Sequence, residues 1–359
     1  MPLSRSYFAS PDTGARPRGH LVGEAAQRAL QAHPGALPVE VIPGPAPRVV
    51  WLDLGARPLT DSKFRFDVQH RLAEAPDAAC FSTPLDPPWT LDSVPIHGFI
   101  FMLHRCGSSL LAKVLAADPH SIVITEATPL QEGLWDVLTD GWTRAPGPDA
   151  VPVLRGLLLA LARRRAGDER GAYFKFDTFH AHYMGLLRAA FPEVPCLFLY
   201  RDPVEVLVSA TRRPSAQLQR VKGLPPSAAW TGLPAHEVTA LPDVAYLERV
   251  YTRTLHTVLD HPHPLALLRY RDLRPAHLEA VMRTAFGRAP SPDALPRMLE
   301  QFSYDAKTDR AARAFVDDRA EKQSAADDAL KRAAARLGVL IAQLDRSPRR
   351  LRPGPAAMG

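Results

Sequence analysis

GFIFMLHRCGSSLLAKVLAADPHSIVITE, residues 98–126, reads as strand, tight polar loop, helix and second strand. Gly98 to Leu103 is almost wholly apolar, as a parallel strand buried on both faces should be. His104, Arg105, Cys106 and Gly107 interrupt that run, and Ser108 and Ser109 open a segment whose Leu110, Leu111, Val114 and Leu115 recur at helical spacing. Glycine lets backbone come close to a ligand, and the free N–H groups of a helix start bind phosphate oxygens. Two hydroxyls and one guanidinium at the same point complete a cradle for an anion.

The cradle is not an ordinary ATP loop. A Walker A motif has GxxxxGK followed by Ser or Thr, whereas here the cation is Arg105, two residues before Gly107. The order Arg105, Cys106, Gly107, Ser108, Ser109 resembles the 5′-phosphosulfate loop of sulfotransferases that use 3′-phosphoadenosine 5′-phosphosulfate (PAPS), with Cys106 where serine is common. A plain N-capped helix after a strand is the alternative reading of these residues.

A second motif follows in that family's order. Cys196 to Tyr200 is a buried-strand run, and Arg201, Asp202, Pro203 and Glu205 come directly after it. Asp202 suits an N-cap, Pro203 the first helical position, and Glu205 lies three residues past the cap. The helix therefore starts at once, leaving Arg201 at the strand's end and Ser209 two turns along the helix. The pattern resembles the 3′-phosphate site of the same sulfotransferases, arginine-aspartate-proline with a serine eight residues after the arginine. Pairing of Arg201 with Asp202 or Glu205 and packing of Ser209 is the structural alternative. A third segment, ALLRYRDLR at 266–274, resembles a later strand-plus-YEDL segment, with Arg271 in place of the acidic residue; it is read as structural. The resemblances span roughly residues 95 to 290.

What the resemblance implies for chemistry is sulfuryl transfer. Arg105, Ser108, Ser109 and the helix start would hold the 5′-phosphate, and Arg105 would meet charge on the bridging oxygen as the bond to sulfur breaks. An acceptor hydroxyl needs a base. Glu126, at the end of strand 121–125, is the first choice, because strand carboxyl ends face the ligand crevice in open α/β sheets. Lys175 and Asp177 are the rivals. Family members carry a Lys-x-His segment at the comparable place, but Asp177 stands where the histidine would be. Lys175 is a candidate contact of the sulfonate oxygens; His180 and His182 lie close by, and His104 is set aside. Cytosolic sulfotransferases cover the nucleotide with a basic, glycine-rich segment. Here that glycine pattern is absent; Lys307, Arg310, Arg319 and Lys322 lie in the right region, and a solvated charged helix is their alternative.

Composition bounds the rest. The 359 residues have 46% hydrophobic content and a net charge of +6, suited to an anionic nucleotide. No basic, aromatic-interleaved motif points to nucleic acid. No run of 18 apolar residues predicts a membrane span, and the first 20 residues lack a signal-peptide core. Three scattered cysteines, Cys80, Cys106 and Cys196, imply neither a disulfide framework nor a zinc site. A cytoplasmic enzyme is expected.

The predicted organisation is a disordered start at 1–20, an extension at 21–94 packed on the core, an α/β domain at 95–345 and a disordered tail at 346–359. The extension is expected to hold a helix at 25–32, a strand at 48–53 and a helix at 63–74. Strands at 98–103, 121–125, 172–176 and 196–200 alternate with helices at 108–117, 151–166, 181–191 and 203–212. That alternation predicts a mainly parallel sheet flanked by helices, of the P-loop-like three-layer kind. A long loop at 213–243, a helix at 244–260, a strand at 265–270 and further helices complete the chain.

The expectation is thus a PAPS-dependent sulfotransferase acting on a hydroxyl, or as lesser candidate an amine, of a small molecule or glycan, with no metal. The alternatives are a P-loop kinase of a small metabolite and a non-catalytic nucleotide-binding protein. Acceptor and oligomeric state are left open.

Overall fold

A computed structural model describes residues 14–131, 133–214, 217–306, 314 and 317–352. Among the described residues eight strands form two sheets: β1 Ala36–Ile42, β2 Arg48–Asp53, β3 Cys80–Pro84, β4 Ile96–Met102, β5 Ser121–Thr125, β6 Gly171–Lys175, β7 Cys196–Tyr200 and β8 Ala266–Arg269. The first three make an antiparallel sheet in sequence order. The other five make a parallel sheet, ordered β5-β6-β4-β7-β8 and flanked by helices. The α/β class and its parallel sheet are as the alternation of apolar segments predicts.

The chain divides into two compact units. Met1–His97, Pro119–Phe174 and Met184–Val194 make the first, and Gly98–Asp118, Lys175–Tyr183 and Pro195–Gly359 the second.

In the second unit β4 pairs in parallel with β7, Met102 opposite Leu199, and β7 with β8, Tyr200 opposite Arg269. Phe99, Ile100, Phe101 and all of β7 are buried, which is why these strands read as unbroken apolar runs rather than alternating ones. The helix after β7 runs Pro203–Arg212, matching the expected bounds. The Asp202 carboxylate accepts from the N–H groups of Val204 and Glu205 at 3.0 and 3.4 Å, and Pro203 takes the first turn. Only half of the capping box forms, because the Glu205 carboxylate turns to Arg201 instead of back to the cap. The long 213–243 segment holds a π-helical turn at Gln217–Val221 and short helices at Pro225–Thr231 and Ala235–Ala240; the Asp243–Leu259 helix follows.

Several boundaries differ from expectation. β1 and β3 were not predicted: proline interrupts ALPVEVI, and CFSTP is no apolar run and ends on proline. The helix expected over 151–166 stops at Leu161. There Arg163 turns inward and its guanidinium donates to the carbonyls of Leu30, His33 and Ala36 at 2.6, 3.0 and 3.3 Å. The helix expected over 181–191 is a 3₁₀ segment, Thr178–Tyr183, followed by the helix Met184–Ala190.

Both expected disordered ends need correction where they are described. The Arg18 N–H donates to the Cys80 carbonyl at 2.9 Å and the Leu21 N–H to that of Ser82 at 2.8 Å, against the edge of β3. Leu351 N–H donates to Leu267 at 2.9 Å beside β8, and the Arg349 guanidinium donates to the carbonyls of Val258 and Leu259, each at 3.0 Å. Cationic donors at a helix C-terminus satisfy carbonyls with no partner of their own. Residues 1–13 and 353–359 lie outside the described residues, as do Lys307 and Arg310.

Candidate functional site

Two of the expected binding elements meet in the second unit. β4 and β7 are parallel neighbours, so the residues after their carboxyl ends share one edge of the sheet. Arg105 lies in the loop after β4, with a positive φ of 62°, and its Nε–H donates to the Ser209 hydroxyl at 2.8 Å. That bond joins the first loop to the helix of the second motif, 104 residues away. Burial lowers the Arg105 guanidinium below its usual value, while the nearby Tyr251 ring oxygen acts in the opposite sense.

The loop glycine serves a different neighbour from the one expected. Gly107 has φ +87°, and a Cβ there would stand 2.2 Å from the Tyr270 ring. The space that its missing side chain opens is filled by this ring. The Arg201 guanidinium lies over the same ring, 4.6 Å from its centre. Tyr270, read from sequence as part of a structural segment, thus touches both motifs; its signal was an aromatic residue just past the end of β8.

Hydroxyls of the loop are unequal. Ser108 is buried and its Oγ–H donates to the Met102 sulfur at 2.7 Å. A thioether is a weak acceptor, so an anionic oxygen would compete well for this proton. Ser109 is half-buried. The Ser108–Ala116 helix presents its N-terminus to the same loop. Cys106 is fully buried, and burial pushes its thiol up to about 12, which leaves it a packing residue rather than a nucleophile.

Arg201 is buried and well matched. It pairs with Glu205 one turn along the helix and with Asp318 at 3.5 Å. Asp318 in turn accepts from Lys322 at 2.6 Å. The short Arg319–Ser324 helix carrying Lys322 is tied to the motif twice more, by Arg212 with Glu321 at 2.6 Å and by the Gln323 amide donating to Asp202 at 3.1 Å. The pairing with Glu205 is the structural alternative named from sequence, and Lys322 was singled out there; Asp318, 117 residues from Arg201, was not.

Lys175 and Asp177 are buried in the same unit. Asp177 accepts from the Thr178 N–H at 2.6 Å and so opens the 3₁₀ segment. The charges of Lys175 and Arg201 reach Cys106, and those of Arg105 and Asp177 reach Tyr251. Hence Arg105, Lys175, Asp177 and Arg201 form one neighbourhood. The histidines are packing residues here. His180 lies between the rings of Phe176 and Phe179, at 5.1 and 4.0 Å. His182 is held by Thr257 at 3.2 Å, and burial followed by the Arg253 charge pushes it down to about 4.

Glu126 belongs to the first unit. It is buried, its φ is +48°, and its Oε2 accepts from Lys63 at 2.5 Å. Lys63 precedes the Phe64–Glu74 helix and carried no sequence signal. Its segment is fixed on both sides. Asp61 bonds His70 at 2.6 Å, and Asp67 accepts from the Thr60 and Asp61 N–H groups at 3.1 and 3.3 Å. Burial, then the Asp61 charge, raises the Asp67 carboxyl to about 7.

No protein-family model matches the chain, and no curated protein matches it. Among the described residues no helix is long and apolar enough to cross a membrane. Fold and site together define an α/β chain with a cationic, partly buried cluster at the carboxyl ends of two adjacent parallel strands.

Proposed function

We propose that the chain is a PAPS-dependent sulfotransferase of the P-loop-like α/β class, working in the cytoplasm. It would move a sulfuryl group to a hydroxyl, or as lesser candidate an amine, of a small molecule or glycan. The observation that supports this reading most is the 2.8 Å bond from Arg105 to Ser209. Residues that the two motifs reserve for the two phosphate ends of one nucleotide are in contact, though far apart in sequence.

The donor fits the residues present in charge and in donor chemistry. Arg105, the start of the Ser108–Ala116 helix, Gly107, Ser108 and Ser109 would hold the 5′ end; Arg201 and Ser209 would hold the 3′-phosphate. Cys106 shapes the loop from within. Lys175, in the same neighbourhood, would meet the sulfonate oxygens. The bound donor supplies the sulfuryl group and a nucleotide phosphate as leaving group; the chain's part is to orient it and meet developing charge. The acceptor's base is assigned on sequence order alone: Glu126, with Asp177 as rival.

A screen of hydroxyl and amine acceptors with sulfur-labelled PAPS tests the activity. Label transfer in excess chelator is the expected result. Phosphoryl transfer from ATP that needs Mg²⁺, with no transfer from PAPS, would replace this reading by the kinase.

A further inference from the structure

Arg201, which the proposed function gives to a ligand phosphate, already faces two carboxylates. Glu205 is buried and fixed one helical turn away. Asp318 is different: its side chain is 45% exposed, and its two oxygens reach Arg201 at 3.5 Å and Lys322 at 2.6 Å. Lys322 itself is buried, 6% exposed. Arg201 and Lys322 are thus each matched by a carboxylate, although Arg105 and Lys175 leave the wider site cationic.

A phosphate dianion set on Arg201 and Lys322 would be repelled by both of these carboxylates. One carboxylate has to go. Glu205 is buried, whereas Asp318 sits just before a six-residue helix and is already half in solvent. That helix keeps its ties through Glu321 and Gln323 when the Asp318 side chain turns away. Its carboxylate spans the two cations as a phosphate edge would.

We infer that Asp318 is an internal competitor for the anionic ligand: it fills the outer face of Arg201 in the free protein, and the ligand phosphate displaces it and takes Arg201 and Lys322 together. The carboxyl is well suited to this. Burial alone would raise it, but the Lys322 hydrogen bond and charge, then Arg201, outweigh burial and hold it below the usual range, so it stays ionised. The inference rests on the phosphate role proposed for Arg201.

The test is calorimetric titration with 3′-phosphoadenosine 5′-phosphate (PAP) and with adenosine 5′-phosphate, which lacks the 3′-phosphate. A partly exposed ion pair is weak, so Asp318→Asn should tighten PAP about two- to fivefold, the equivalent of up to about 1 kcal/mol, and leave adenosine 5′-phosphate within about twofold. Asp318→Glu, which keeps the charge, and Asp317→Asn, which removes a neighbouring one paired to Arg319, should stay within about twofold of the parent. Asp318→Ser should repeat the gain and serves if the Asn variant folds poorly. A parent that binds PAP no tighter than adenosine 5′-phosphate would overturn the role of Arg201, and the inference with it. A parent that prefers PAP while Asp318→Asn gains nothing, or while Asp317→Asn gains as much, would overturn the inference alone.

Discussion

Replacing Arg201 separates its two jobs, folding and binding. Arg201 and Glu205 are 8% and 7% exposed. Removing one member of such a buried pair costs about 3–5 kcal/mol, because the other charge is left unmatched. Asp318 adds little, being free to turn to water; the Tyr270 ring contact adds about 1 kcal/mol. Arg201→Ala should therefore lose about 4 kcal/mol, and its melting temperature should fall by roughly 5 °C. Adding Glu205→Gln removes the stranded charge and should recover about half of that loss. Ligand binding should not recover. A charge-assisted contact to phosphate is worth about 1.5–3 kcal/mol, so both the single and the double variant should bind PAP about 10- to 150-fold more weakly. Binding of adenosine 5′-phosphate should hardly change. Differential scanning calorimetry and titration read the two effects side by side. Recovery of PAP affinity together with stability in the double variant would refute the reasoning, since the binding loss would then be a folding defect.

Other expectations are simpler to state. Gly107→Ala should destabilise the protein by about 2 kcal/mol or more through its positive φ and the Tyr270 ring; adding Tyr270→Leu should recover the steric part alone, as thermal melts will show. Glu126→Gln should keep donor binding and slow transfer by about two to four decades, with Asp177→Asn doing less; the opposite ranking in single-turnover assays would make Asp177 the base. His182, pushed down to about 4 by burial, is held neutral in the folded chain. Its depressed value gives stability that is present above about 6.5 and lost as pH falls through about 4, amounting to about 3 kcal/mol. His182→Gln should flatten that acid limb of the melting-temperature profile; an unchanged limb would assign it to other groups.

Local chemistry was legible where it was self-contained. Strand Cys196–Tyr200 and helix Pro203–Arg212 came out with their observed ends because an aspartate cap and a proline act on their immediate neighbours. The parallel sheet followed from apolar runs that need both faces covered. What was hidden depended on distant partners. Leu161 ends a helix because Arg163 finds three carbonyls beyond it. Gly107 is needed for a ring that arrives from Tyr270. Lys63 meets Glu126, and Asp318 meets Arg201, across separations of 63 and 117 residues. No local period or cap encodes such pairs. The candidate site was therefore readable as a set of residue types, and unreadable as a set of charges already matched to one another.

The central claim is that this protein holds a nucleotide by a phosphate at each end, and competition between two nucleotides tests it most directly. PAP and ADP carry the same number of phosphates but place them differently: PAP has them on the 3′ and 5′ oxygens, ADP both on the 5′ side. Titration of the full-length protein with each, without added metal, should give PAP the tighter binding by about one to two decades, the worth of the Arg201 and Ser209 contacts. Tighter binding of ADP, or equal binding of both, would contradict the account.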